Sequence, residues 1–152
     1  MHVDKLLELF NSLFIKITVI IEYISLISHE KNIYIGHSNR LDYERELYKP
    51  IRKSNLNDEY RIVLPREETK KPYNSKKLFN RCDFFIAEVF YPSTGLGIEI
   101  GWASMLEVPI ICMYKKGMYV SRSLRVVTEN LIEYKDASDM ISKLSLDLKK
   151  LI

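Results

Sequence analysis

The stretch Tyr91-Pro92-Ser93-Thr94-Gly95-Leu96-Gly97-Ile98-Glu99-Ile100-Gly101-Trp102-Ala103 has the residue types of a ligand loop running into a helix. Gly95 and Gly97 let a ligand approach the backbone, and free N–H groups at a helix start favour an anion. The spacing, G-x-G-x-x-x-G, departs from the G-x-G-x-x-G of dinucleotide-binding turns. Glu99 falls in the first turn of the predicted helix. A carboxylate there has two readings. It complements the positive end of the helix dipole, or it is aimed into a cleft, able to attack an electrophilic carbon or carry a proton.

The elements that must position this stretch begin at Lys31. Strands are expected at Asn32–Gly36, Tyr60–Leu64, Asp83–Phe90, Pro109–Tyr114 and Asn130–Tyr134. Helices are expected at Leu41–Lys53, Asn74–Arg81, Gly97–Glu107 and Ala137–Leu151, with a charged loop over Arg66–Pro72. This alternation predicts right-handed βαβ units and a doubly wound, five-stranded parallel sheet in a three-layer αβα domain over residues 31–152. Apolar runs such as DFFIAEVF and PIICMY fit strands covered on both faces. Ligands of such sheets bind beyond the carboxyl ends of the strands, so the segments of interest follow Gly36, Leu64, Phe90 and Tyr114. After Tyr114, the residues Arg122, Ser123 and Arg125 either meet an anionic ligand or form a solvated basic loop. Tyr34 and Trp102 read as core.

Residues 1–30 stand apart. Asp4, Glu8, Asn11, Ser12, Lys16, Glu22 and Ser25 recur at three- to four-residue spacings, a narrow polar stripe on an otherwise apolar helix. Such a helix must bury most of its circumference, and a homodimer or higher homo-oligomer is expected. Ile17–Ile27 is shorter than the ~20 residues of a membrane span. The opening MHVDKLLELF is unlike a signal peptide, so a cytoplasmic protein with no membrane partner is expected. No internal repeat, coiled-coil heptad or low-complexity stretch stands out.

At 152 residues, 47% hydrophobic and 28% charged, the chain suits one core-forming domain and falls outside the collagen-like and disordered classes. A net charge of +3 permits an anionic small ligand, and no dense basic run argues for a nucleic-acid polymer. Cys82 and Cys112 lack metal-site or disulfide spacing and read as reduced core residues.

Residues 83–103, DFFIAEVFYPSTGLGIEIGWA, resemble the nucleoside 2-deoxyribosyltransferase superfamily, most nearly its 2'-deoxynucleoside 5'-phosphate N-hydrolase branch. Asp83, Ala87, Glu88 and Val89 match that branch's D-x-x-x-A-E-V strand. Pro92, Ser93, Gly95, Gly97, Glu99 and Gly101 match its P-S-x-G-x-G-x-E-x-G turn. The resemblance extends topologically over residues 32–135 and leaves out the N-terminal helix. It implies cleavage or transfer of the N-glycosidic bond of a (deoxy)nucleoside or its 5'-monophosphate, with no metal and no organic cofactor. It makes Glu99 the nucleophile at C1' of the sugar, passing through an oxocarbenium-like transition state to a covalent glycosyl-enzyme. It places Ser93 at the 5'-phosphate. Gly36, His37, Ser38, Asn39 and Arg40, with Gly95 and Gly97, then surround base, sugar or phosphate. Arg40 suits a phosphate as a fork donor, while Asn39 serves equally as a plain helix cap.

One position departs from the superfamily pattern. A catalytic aspartate there stands eight residues before the strand aspartate, and here that place is held by Ser75. Serine hydrogen-bonds but is no general acid near neutral pH. Either Asp42 or Glu88 takes over the task, or the domain binds a nucleotide with weak or no turnover. Glu88 reads equally as a buried, paired strand residue. A fold-related NAD-cleaving domain would also use a glutamate at a glycosidic carbon, but the 83–103 motif does not support it. A phosphorelay receiver would need paired carboxylates after the first strand, where the chain reads IGHSN.

Overall fold

A computed structural model describes residues 2–27, 30–68 and 74–151. Contacts divide the chain into two units, Met1–Glu30 and Lys31–Ile152. The first is one helix, α1 (His2–Ile27). The second runs β1 (Asn32–His37), a π-helical turn (Glu44–Tyr48) continuing into α2 (Lys49–Arg52), α3 (Leu56–Glu59), β2 (Arg61–Val63), α4 (Pro65–Glu68), α5 (Ser75–Phe79), β3 (Phe84–Glu88), α6 (Thr94–Met105), β4 (Ile110–Lys115), α7 (Leu124–Val127), β5 (Leu131–Tyr134) and α8 (Ala137–Leu151).

The five strands are all parallel, in the order β2-β1-β3-β4-β5. Alternate side chains of each strand face opposite layers. Ile33, Ile35, Phe84 and Ile86 join Leu47, Ile51, Leu144 and Leu148 in one core. Tyr34, Phe85, Ala87 and Cys112 join Leu96, Ile100 and Ala103 in the other. β3 is buried along its whole length. The domain is therefore the three-layer αβα sandwich that the alternating pattern predicts, with ligand space at the carboxyl ends of β1 and β3, where the sheet turns from growing one way to growing the other.

Local boundaries differ from the sequence-based expectation in three places. The helix expected over Leu41–Lys53 is instead the π-helical turn followed by α2. Pro50 is the second residue of α2 and offers no N–H to the turn that precedes it. The loop expected over Arg66–Pro72 begins as α4, and its remainder lies outside the described residues. α6 starts at Thr94 rather than Gly97, because Ser93 caps it, its side chain accepting from the Leu96 N–H at 3.4 Å. Glu99 thus sits in the second turn of α6, and the first turn carries no acidic residue. The dipole fades within the first turn, so charge complementarity is a poor account of Glu99.

Cys82 and Cys112 are free, and burial pushes their thiols up to about 11 and about 12. Among the described residues no helix is long and apolar enough to cross a membrane.

Candidate active site

Beyond the carboxyl ends of β1 and β3 lies a hollow of about 140 Å³, lined among others by Tyr34, Gly36, His37, Arg66, Ser93 and Glu99. Glu99 is half-buried on α6. Its Oε1 accepts from Tyr34 Oη and from Ser75 Oγ, each at 2.8 Å. Burial raises the carboxyl's pKa above the ordinary range, and the two hydroxyl donors draw it back down. Its Oε2 faces the backbone of Gly36, where a Cβ would stand 2.8 Å from Oε2, 2.9 Å from Leu96 Cδ1 and 3.0 Å from Phe85 Cε2. Glycine at 36 is what leaves room for the carboxylate over the strand end.

The donors are themselves held. The Tyr34 ring stacks on Phe85 and meets Phe79 edge-on, with centroids 5.5 Å away in both cases. Burial, then the Glu99 charge, keeps its phenol far above the usual range, so its proton stays in place for donation. Ser75 opens α5 and is buried at 1% exposure. The result is a carboxylate with one oxygen fixed by two neutral donors in a partly desolvated setting, a suitable nucleophile when ionised.

The loop after β1 forms one wall. His37 Nδ1 lies 3.1 Å from the Ser38 carbonyl and Nε2 lies 2.7 Å from Tyr48 Oη. A carbonyl only accepts, so Nδ1 carries a proton. Burial lowers the imidazole's pKa and so favours the neutral ring, in which Nε2 accepts from the Tyr48 hydroxyl. Tyr43 stacks on its ring at 4.4 Å between centroids. Ser38 is buried, and its Oγ accepts from the Arg40 N–H at 3.3 Å, a brace within the loop. Asn39 lines the hollow and accepts from Arg66 Nη2 at 2.7 Å instead of capping a helix.

Several expected residues lie elsewhere. Exposed Arg40 sets its guanidinium 5.0 Å over the Tyr91 ring and is not among the residues lining the hollow. Among the described residues the cation that does line it is Arg66. Asp42 is exposed and turned to Arg45, 3.1 Å from its Nε. Glu88 is fully buried, and Tyr134 Oη donates to its Oε1 at 2.8 Å. It shares strand parity with Phe84 and Ile86, so it faces the α8 layer, whereas Glu99 reaches the side of the sheet bearing Tyr34 and Phe85. Neither Asp42 nor Glu88 lines the hollow. Gly95 lies on the rim with Ser93. Gly97 lines an adjacent, more apolar hollow of about 350 Å³ with Tyr91, Ile100, Tyr119 and Leu124. Arg122, Ser123 and Arg125 are exposed and line neither hollow. Among the described residues no three His, Cys, Asp or Glu side chains gather as a metal site requires.

No protein-family model matches the chain. A curated protein of Methanosarcina barkeri, named "Putative 2'-deoxynucleoside 5'-phosphate N-hydrolase 1", is 35% identical over 75 residues, 49% of this chain and 44% of that protein. A protein of the same name from Thermofilum pendens is 33% identical over 87 residues, 54% of this chain and 59% of that one. The chain is similar in sequence to proteins named as 2'-deoxynucleoside 5'-phosphate N-hydrolases. The match spans roughly half the length of these curated N-hydrolase relatives. A solved CMP N-glycosidase of Clostridium botulinum shares the fold, with a TM-score of 0.54 at 24% identity over 76% of this chain and 99% of that one.

Two residues of the hollow were not legible as site residues in the sequence. Tyr34 reads as core in the sequence, yet it stands two residues before Gly36 on the same face of β1, so both must meet whatever lies over that strand end. Arg66 falls in a stretch read as a charged loop. The one cue was its place immediately after the second strand's end, at Pro65.

Proposed function

We propose that the chain hydrolyses the N-glycosidic bond of a nucleoside 5'-monophosphate, with Glu99 as nucleophile. The observation that carries this reading is the Glu99 carboxylate, fixed by Tyr34 and Ser75 and laid over Gly36 at the edge of an open hollow. Glu99 attacks C1' of the sugar. The bonding pair of the C1'–N bond leaves with the base, which takes a proton from water. Positive charge spreading over the sugar ring in the transition state is stabilised by the carboxylate beneath it. Water then attacks C1' of the glycosyl-enzyme, frees the sugar 5-phosphate and restores the carboxylate. Arg66 and the Ser93 turn supply cation, hydroxyl and backbone donors on the rim, the chemistry that holds a phosphate. The names of the curated relatives support the same substrate class.

The test is free-base release from a panel of deoxynucleoside and ribonucleoside monophosphates, measured by chromatography. Glu99→Gln keeps the shape and removes the nucleophilic charge, and it is expected to lower turnover by at least ~10³-fold, in line with loss of a covalent catalyst. Turnover at the wild-type rate in that variant would refute the assignment.

Ser75 favours one second reading. With serine beside Glu99 and no other carboxyl among the described lining residues, the domain binds a nucleotide without cleaving it. Saturable nucleotide binding with no base release, and release gained in Ser75→Asp, would establish that reading instead.

A further inference from the structure

α1 leaves its apolar surface uncovered. Val3, Leu6, Phe10, Leu13, Ile17, Ile20 and Ile24 follow one another at alternating three- and four-residue steps. That is the a/d pattern of a coiled-coil seam, contrary to the expectation that no heptad is present. Leu7, Phe14 and Ile21 repeat every seven residues beside it and widen the seam. All ten of these side chains are between 46% and 74% exposed. Glu8 and Glu22 lie on the opposite side of the helix, where Ile15 and Val19 are also exposed, while Asn11 and Thr18 border the flank of Leu7, Phe14 and Ile21.

From this spacing we infer that the partner of α1 is α1 of other copies of this chain, packed as a homo-oligomeric helical bundle. Three observations favour that occupant. A strict seven-residue repeat is what knobs-into-holes packing between helices requires, whereas a lipid surface requires only a continuous apolar face. The polar side of α1 carries both signs of charge, Glu8, Glu22, Lys5 and Lys16, rather than the basic face typical of helices that lie on anionic membranes. The apolar set at a and d, flanked by Leu7, Phe14 and Ile21 on one side and by Leu9 and Tyr23 on the other, is wider than the narrow seam of a two-stranded coil and matches helices of a bundle.

Sedimentation equilibrium of the full chain at micromolar concentration tests this. The wild type is expected at a discrete multiple of the chain mass. Leu13→Glu combined with Ile20→Glu puts charge into the seam and is expected to give monomer while retaining the cooperative unfolding transition of the α/β domain. Ser12→Glu combined with Ile15→Glu adds the same charge to the opposite side and is expected to leave the oligomer intact. A wild-type chain at monomer mass overturns the inference, as does a seam variant that keeps the wild-type mass. A wild type that is monomeric in solution and floats with phosphatidylcholine–phosphatidylglycerol vesicles overturns it in favour of a lipid surface.

Discussion

The backbone of Gly36 and the carboxylate of Glu99 are in direct apposition, so close that a single added methyl group at residue 36 would stand 2.8 Å from Oε2. The other neighbours of that methyl, Leu96 and Phe85, are packed in the core and have little room to give. Gly36→Ala is therefore expected to displace Glu99 and to cost about 1–3 kcal/mol of stability, the usual range for overpacking. Base release should fall by ~10²-fold or more while the fold persists. Chemical denaturation and the turnover assay measured on the same preparation check both halves.

Tyr34 sets the acid limb of the pH profile. Burial holds the Glu99 pKa above its ordinary value, and the Tyr34 hydroxyl lowers it by donating to the charged form. Removing that donor lets the pKa rise further. In Tyr34→Phe, activity should disappear at a higher pH on acidification than in the wild type, because the charged carboxylate has lost a donor. An acid limb unchanged between pH 4 and 8 would show that Glu99 does not govern it.

Arg66 should read the phosphate. It holds Asn39 at 2.7 Å and lines the hollow, while Arg40 is engaged with Tyr91. Arg66→Gln keeps a hydrogen-bonding side chain and removes the charge. It is expected to raise KM for monophosphates by roughly tenfold or more, as for loss of a charge-assisted hydrogen bond. Turnover of the corresponding nucleosides should barely change. Arg40→Gln serves as the comparison and should leave KM nearly unaltered.

Glu88 makes stability depend on pH. Burial is the main cause raising its pKa from 4.5 to about 7; the Glu46 charge adds to the rise, while Tyr134 and Lys115 oppose it. Between those values the native protein keeps a proton that the unfolded chain has already released. Stability is thus full below about 4.5 and is lost as pH climbs through 7, by on the order of 3 kcal/mol. Glu88→Gln is neutral throughout and should be the more stable protein at pH 8, with little difference at pH 4. Urea unfolding at the two pH values measures this directly.

Glu99 was legible because its partners in the motif lie within twenty residues of it, and the strands were legible as apolar runs. The same apolar runs hid the parity of Glu88. In DFFIAEV both faces of the strand are buried, so no alternation tells which layer the glutamate joins. Tyr34 and Ser75 meet Glu99 only through the register of β1 beside β3 and the docking of α5 against α6, contacts between segments more than twenty residues apart. Asp42 looked near in topology, yet Arg45 lies within one helical turn of it and captures its carboxylate.

The strand order carries one more implication. Chain leaving β1 and chain leaving β3 depart toward opposite edges of the sheet, so a gap opens between them whatever residues happen to border it. The vessel comes from the winding, and only its fittings come from side chains. Exchanging a bordering residue such as Ser75 or Arg66 can therefore alter what is done there without excavating a new cavity.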